Sequence, residues 1–529
     1  MEQPIVTINE GKIRGYQRIN LDGEKFYSFL AIPYGKPPIG ELRFKAPKPV
    51  ESWNGIKDAT KEGNISYQGE NLQETGCIST EDCLHLHVFT KNLPLEDPIL
   101  KPVMVWIHGG GFMWGSNDSR LFGPEFLLTE DIVMVSIHYR VGFLGFLHLN
   151  DASLDVPGNA GMKDQQLALK WVQRNIHHFN GDPNNVTIFG ASSAGSCIHL
   201  HVLSPTSKGL FHKAIVQSGC ALNYWTFSGD FALEFAKFVD NEVQTEAQAL
   251  EMFNKMPVKE FHKYQLDFCN IHDIFGVVAP NIEPPSETAF LSSSPIELIS
   301  SGHYNKVPLI IGYCNNEGLY VGFDETFKKI KIKQETLDLD FFVSPSLKLK
   351  EDDSKREIVK RKIKKFYFEG QNAVDKSLIW TDFLYVPGII ASAKLHARTS
   401  SEPVYLYRIS IDAGLNWKKQ IIPIKEPGTT HCDELGYIFN IALDAEFLDI
   451  GELEDKYIRR FVKLWTNFAK TGNPTPNGTD LNTKWKPINE DICFLDIGSE
   501  LTMQINPEEE RIKFWKEIFK LSPHTYNYL

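Results

Sequence analysis

The sequence predicts an α/β fold, with a mostly parallel central sheet, helices on both faces and a small N-terminal β-meander. Three observations predict it. Short runs at residues 103–107, 132–137, 186–189, 214–217 and 309–312 are almost continuously apolar, as strands covered on both faces are. Helical patterns lie between them, and alternation of this kind argues a parallel sheet wrapped by helices. No Pro-, Gly- or Ser-rich linker cuts the 529 residues, so residues 1–529 are read as a single domain.

Taken in order, residues 4–60 carry brief β-like runs such as Ile5-Val6-Thr7-Ile8, broken by Pro33, Pro37, Pro38, Pro47 and Pro49. That punctuation reads as the meander and its loops. Residues 84–89 alternate and form a strand that places His85 and His87 on one face, where they read as structural histidines. Residues 162–179 carry Leu167, Ala168, Trp171, Val172, Ile176 and Phe179 at helical spacing. Residues 221–300 read as helices and loops, and the charged stretch 325–372 as a helical cap. A strand is expected at 404–407. Phe461, Leu464, Trp465 and Phe468 mark one helix face, and an aromatic helix around Phe514, Trp515 and Phe519 closes the chain.

Composition excludes several function classes. The net charge is −12, and the Lys-rich stretches are interleaved with acids, so no basic stripe is available for a phosphate backbone. No apolar run approaches the roughly 18 residues of a membrane span. Eight cysteines in this length are not a disulfide scaffold, and their spacing does not suggest a zinc site. No leader is visible at the N-terminus. No metal and no cofactor is expected, and the expected partner is a small molecule, with no nucleic acid and no membrane span.

The chemistry gathers at Val186-Thr187-Ile188-Phe189-Gly190-Ala191-Ser192-Ser193-Ala194-Gly195-Ser196. An apolar strand stops at a glycine, small residues follow, and His199, Val202 and Leu203 continue at helical spacing. A strand, sharp turn and helix of this kind lift a serine hydroxyl clear of a sheet. Two registers are open. Ser192 is flanked at minus two and plus two by Gly190 and Ala194, Ser193 by Ala191 and Gly195. The strand side favours Ser192, because the other register inserts a residue after Phe189-Gly190. An ordinary loop with Ser192 as a helix cap fits the same letters.

A serine hydroxyl needs a base within hydrogen-bond reach, and the base needs an orienting group. Where a strand-turn-helix serine works this way, the chain order is nucleophile, acid, histidine. Glu317 follows the strand at 309–312 in a turn marked by Gly318, and His431 lies in the loop Pro427-Gly428-Thr429-Thr430-His431. An oxyanion must be met by preorganised donors. The run His108-Gly109-Gly110-Gly111-Phe112 follows a buried strand and offers the bare amides of Gly110 and Gly111; the amide of Ser193 is the third donor. His108 reads as a scaffold for this loop rather than a base.

These motifs, together with Ile32-Pro33-Tyr34, Leu42-Arg43-Phe44, Ser79 to Leu84, Tyr139-Arg140, Gly158-Asn159-Ala160-Gly161, Gln217-Ser218-Gly219, Glu434-Leu435 and Gly472-Asn473-Pro474, run along nearly the whole chain. They are similar to those of the type-B carboxylesterase/lipase (cholinesterase-like) family, and the chain looks closest to the insect carboxylesterases. The resemblance implies the α/β-hydrolase fold, a serine carboxylesterase acting through an acyl-enzyme, and a triad of Ser192, Glu317 and His431. It implies Gly110, Gly111 and Ser193 as oxyanion donors. Ser218 matches a serine set behind the catalytic groups, and Trp225 a position on the acyl side of the pocket. Phe275, Phe383 and Tyr385 are further candidates for the pocket wall.

The expected role is broad turnover of xenobiotic or lipid esters, with a dedicated hormone, pheromone or odorant esterase as the alternative and a non-catalytic adhesion protein behind both. The loop from Ser66 to Cys83 has no tryptophan to face a quaternary ammonium, which argues against choline esters. Three departures from the family pattern stand out. Ala194 replaces the usual elbow glycine and crowds the turn. Ala191 replaces the usual acid before the nucleophile. Cys83 matches half of a disulfide found in secreted relatives, and its usual partner near Ser66 is missing, with Cys77 as an alternative mate. Reduced thiols and a cytoplasmic protein are expected.

Overall fold

The apolar runs become neighbours in one sheet. The structure, a computed structural model, describes residues 3–69, 78–94, 99–272, 276–323, 339–343, 347, 349–350, 352–369, 377–441, 450–489 and 491–522. The strands are β1 (Ile5–Ile8), β2 (Gly11–Arg14), β3 (Tyr16–Ile19), β4 (Lys25–Pro33), β5 (Ile56–Asp58), β6 (Ile65–Ser66), β7 (Ser79–Thr80), β8 (His85–Thr90), β9 (Lys101–Ile107) and β10 (Val133–Ile137). They continue with β11 (Gly181–Ala191), β12 (Lys213–Gln217), β13 (Leu309–Cys314), β14 (Val404–Ile409), β15 (Cys493–Ile497) and β16 (Leu501–Ile505).

Eleven strands form the main sheet in the order β16-β15-β14-β13-β12-β11-β9-β10-β8-β4-β3. Every pairing from β15 across to β10 is parallel. The flanks are antiparallel, through β15 with β16 on one side and β10 with β8, β8 with β4 and β4 with β3 on the other. The expected meander therefore divides: β1, β2 and β5 form a small separate sheet, and β3 and β4 extend the main one. The hairpin of β15 and β16 is not anticipated by the sequence reading. Its second strand is half solvated, with only every other residue drawn inward.

Successive side chains of a strand point to opposite faces. Accordingly, Val103, Val105 and Ile107 of β9 belong to one apolar core, and Met104 and Trp106 to the other. The first core takes the helices α1 (Ala160–Asn175) and α2 (Ser193–Leu203), with Trp171, Val172, Ile198 and Val202 at 0–2 % exposure. The same core takes α3 (Lys355–Tyr367) and α4 (Val386–Thr399), and the second takes α5 (Glu452–Thr471), whose Phe461, Leu464, Trp465 and Phe468 are fully buried. Both faces of the sheet are thus covered, as its apolar strands require. The aromatic closing helix runs Glu509–Phe519. Of the cap expected at 325–372, α3 is present as a helix, and residues 324–338 lie outside the described residues.

Candidate active site

The strand-to-helix turn sets the site. β11 ends at Ala191, Ser192 has φ 65° and ψ −130°, and α2 begins at Ser193. A non-glycine residue held at positive φ is strained, and such strain concentrates at functional turns. The turn is held by the Ser192 amide, which donates to the Gln217 carbonyl at 2.9 Å, and by the Ser196 amide, which donates to the Ser192 carbonyl at 3.2 Å.

The two serines differ in exposure. Ser192 is half-buried and lines a cavity, whereas Ser193 is fully buried inside the start of α2. Ala194 replaces glycine without breaking the turn, because its methyl lies over Gly190. A side chain at 190 would come 2.8 Å from that methyl and 2.5 Å from the Ile107 carbonyl. One alanine fits opposite one glycine, and the crowding expected at Ala194 is relieved there.

Glu317 reaches Ser192 from the end of β13, and His431 from the long loop after β14, beyond the short helix Trp417–Ile421. Glu317 follows β13, fully buried, and one of its carboxylate oxygens accepts from the Cys314 amide at 2.7 Å. Its other oxygen lies 2.6 Å from His431 Nδ1, and His431 Nε2 lies 2.8 Å from Ser192 Oγ. The two loops that carry acid and imidazole are tied together by their backbones. The His431 amide donates to the Glu317 carbonyl at 3.2 Å, as does the Thr430 hydroxyl, and the Tyr320 amide donates to that same hydroxyl at 3.1 Å. Asp433 anchors the loop by accepting from the Thr430 and Lys418 amides, and burial pushes its carboxyl up to about 6.

Tyr385 and Tyr320 lie face-on to the His431 ring, with centroids 4.6 and 5.4 Å away, and their hydroxyls share a 2.8 Å hydrogen bond. Aromatic faces of this kind favour a ring that becomes cationic. An acid beside a base beside a hydroxyl allows proton abstraction from the serine and return of the proton to a leaving group.

The glycine loop closes the other side of the serine. A side chain at Gly109 would come 2.6 Å from the Ala191 carbonyl and 3.2 Å from Ser192 Cβ, so only a bare backbone passes there. Gly110 and Gly111 have φ 119° and 59°. Among the described residues, no acceptor within the protein takes the amides of Gly110, Gly111 or Ser193, the last being at the first position of a helix. They are donors left for a ligand.

The cavity above Ser192 measures about 350 Å³ and is walled largely by apolar groups, among them Phe112, Leu121, Phe122, Trp225, Val278 and Leu435. Trp225 is fixed by its indole N–H, which donates to the Leu384 carbonyl at 2.8 Å. Tyr385 lines the cavity. Phe383 does not; it lines a separate small pocket with Asp382 and Trp515. Phe275 lies outside the described residues. Ser218, at φ 50° past β12, is fully buried, but its hydroxyl joins neither Glu317 nor His431.

The roles of two groups escaped the sequence reading. Glu434 is fully buried; its carboxylate accepts from Gln217 Nε2 at 3.0 Å and from Cys314 Sγ at 3.3 Å. Burial, and then the nearby Glu317, push it up to about 7. His138, at the end of β10, stands behind the glycine loop and bonds His108. Glu434 enters the sequence reading only as part of the Glu434-Leu435 motif, with no role attached, and His138 is a single polar letter with no motif to mark it.

Known proteins resemble this chain along nearly its whole length. The model of the family described as "Carboxylesterase family" matches residues 2–515. The chain is 32% identical over 527 residues to "Esterase FE4" of Myzus persicae, covering 95% of this chain and 90% of that one. It is 30% identical to "Juvenile hormone esterase" of Heliothis virescens, covering 98% and 95%. Among solved structures, a juvenile hormone esterase from Manduca sexta with OTFP covalently attached superposes with a TM-score of 0.88, at 28% identity, over 98% of this chain and 100% of that one.

These relatives correct one expectation. The cytoplasmic reading does not stand, because the insect esterases and juvenile hormone esterase that the chain resembles are secreted proteins. The physical reason is that the cysteines carry no compartment signal. Cys83, Cys197, Cys220, Cys269, Cys314, Cys432 and Cys493 are free thiols buried in the core, sheltered from oxidant wherever the protein resides, and Cys77 lies outside the described residues. Among the described residues no single helix is long and apolar enough to cross a membrane.

Proposed function

This chain belongs to the carboxylesterase family and is a carboxylic ester hydrolase, and from that premise we propose that Ser192 is its nucleophile, His431 its base and Glu317 the acid that orients the base. Ser192 Oγ attacks the ester carbonyl while His431 Nε2 takes its proton. The carbonyl oxygen becomes an anion and is met by the amides of Gly110, Gly111 and Ser193. His431 then returns the proton to the leaving alcohol, and water repeats the sequence on the acyl-enzyme. Glu317 stays ionised beside the imidazolium and holds its Nδ1–H.

The observation that carries this reading is the unbroken line from Ser192 Oγ through both nitrogens of His431 to Glu317, at 2.8 and 2.6 Å. Substrates are neutral esters with apolar acyl and alcohol parts, because the cavity wall is mainly aromatic and aliphatic and Ala191 contributes no charge. Broad turnover of such esters is the proposed role. Ser218 supports the fold behind the site rather than the chemistry, and Trp225 walls the acyl side. The test is a pair of variants assayed with a short-chain p-nitrophenyl ester. Ser192→Ala should lower kcat by roughly 10³-fold or more. Ser193→Ala keeps its backbone amide and should retain most of the activity. The reverse result would move the nucleophile by one residue.

A further inference from the structure

The three proposed oxyanion donors are amides, and an amide points where its peptide plane points. Each plane is fixed through the carbonyl of the preceding residue. The carbonyl of Ser192, whose peptide carries the Ser193 amide, accepts from Ser196 at 3.2 Å. The carbonyl of Gly110, whose peptide carries the Gly111 amide, accepts from Met113 and Trp114 at 3.0 and 3.1 Å. The carbonyl of Gly109, whose peptide carries the Gly110 amide, differs. Among the described residues it takes no backbone donor, and its partner is the side chain of His108, with Nδ1 at 2.9 Å.

His108 is in turn bonded through Nε2 to Nδ1 of His138 at 2.9 Å, and His138 Nε2 faces the Ser66 amide at 2.6 Å. Both imidazoles are fully buried. Tyr139 stacks on His108 at 4.4 Å and donates its hydroxyl to the His108 carbonyl at 2.8 Å, which keeps the ring in place.

The proton positions follow from the one donor whose direction is certain. A backbone N–H can only donate, so His138 Nε2 is bare. A neutral imidazole then carries its proton on Nδ1, which donates to His108 Nε2. That nitrogen must be bare, so the His108 proton sits on Nδ1 and donates to the Gly109 carbonyl. Burial favours the neutral rings this pattern requires: it pushes His108 down to about 4, and burial together with the surrounding histidines pushes His138 well below the usual imidazole range.

We propose that His138 and His108 form a one-way hydrogen-bond relay, from the Ser66 amide to the Gly109 carbonyl, that orients and polarises the Gly110 amide as an oxyanion donor. Hydrogen bonds in series strengthen one another, and a donor aimed in advance needs no reorganisation as charge develops. A run of three glycines has no side chains of its own to hold it; the relay supplies the missing constraint. His138 is a positioning residue, since it acts only through His108. The inference rests on the proposed oxyanion role of Gly110.

The test compares His138→Phe, which removes the relay, with His138→Asn, whose amide can place a donor where Nδ1 stood. In H138F, kcat for a neutral p-nitrophenyl ester should fall by roughly 10-fold, less than the loss of a whole donor, with KM within about 2-fold. A trifluoromethyl ketone, whose adduct places an oxyanion in the same position, should bind more weakly by the same factor. H138N should recover most of both losses. The idea is overturned if H138F leaves kcat and inhibitor affinity within about 2-fold of the parent, or if the loss falls on KM instead. Should H138F fail to fold, ¹⁵N-histidine spectra of the unaltered protein decide: Nδ1-protonated neutral rings at both positions support the relay, and an Nε2-protonated His108 refutes it. Complete labelling of Ser192 by an organophosphate in each variant separates the two claims. If Ser192 is unlabelled in the parent, the esterase reading of the site fails; if it is labelled in all variants, only the relay is at stake.

Discussion

Two imidazoles line the same cavity, and they are wired in opposite ways. His431 has a carboxylate behind it and a hydroxyl before it, at 2.6 and 2.8 Å. His108 has another imidazole behind it and a peptide carbonyl before it, both at 2.9 Å. Neither partner of His108 gains or loses a proton, so the chain of bonds can only hold shape. In the proposed reaction the Glu317 carboxylate stabilises a cationic His431 ring, and the chain of bonds moves a proton. One acid decides between a base and a brace.

Removing that acid's charge should produce the largest effect. Glu317→Gln preserves size and leaves His431 without an anion behind it, so kcat should fall by roughly 10⁴-fold, as when a triad acid is neutralised. Steady-state kinetics check this, and a loss below about 10-fold would erase the distinction drawn between the two rings.

The brace has its own signature in acid. Burial lowers His85 and His108 to about 4 and His201 and His396 to about 3, and it carries His138 and His199 down with them. A depressed folded-state value contributes stability that is present above the unfolded value near 6.5 and is lost as pH falls toward 4. Asp382 and Asp433, raised to about 6, and Glu434, raised to about 7, act in the opposite sense. They are outnumbered. Stability should drop by several kcal/mol (order of magnitude) between pH 6.5 and 4.5, read from denaturant midpoints or calorimetry. A flat profile would mean these rings are not held neutral.

Gly110→Ala strikes the part that the brace supports. A methyl there would meet the Trp114 carbonyl at 2.1 Å, at a φ of 119° that side chains avoid. Moving this donor should cost about 10²- to 10³-fold in kcat. An unchanged kcat in a folded variant would remove Gly110 from the chemistry.

The smallest effect concerns the second buried acid. Glu434 is raised to about 7, so its contribution to stability is full below about 4.5 and is lost as pH rises to 7. Glu434→Gln keeps the bond from Gln217 and cannot ionise. It should be more stable than the parent by about 1–3 kcal/mol at pH 8 and equal to it near pH 4.5, as paired melting curves would read.

The same contrast explains what the sequence could reveal. The strand-turn-helix around Ser192 is local, so adjacent residues carry it whole. Glu317 is found because it sits just past the end of β13, and His431 because it is a histidine in a Gly-marked loop downstream of a later strand, in the chain order such a serine needs. The family's pattern then ties the three together. His138 carries no such mark, because its role exists only once β10 lies beside β9 and its ring reaches His108. Glu434 is marked by its motif, but its role is not legible, because its neighbours Gln217 and Cys314 come from two strands distant in the chain. β16 writes no strong pattern because it is a half-solvated edge strand, and β15, though buried, is only five residues long and carries Asp496 within its apolar run. The cytoplasmic reading failed because thiols shielded by the core say nothing about their surroundings.

The most direct measurement is a covalent map. The protein is treated with diethyl p-nitrophenyl phosphate, digested, and the modified peptide is sequenced by mass spectrometry. One diethylphosphoryl group on Ser192, absent after His431→Ala, is the predicted result. A group on Ser193, or labelling that survives the loss of His431, would contradict it.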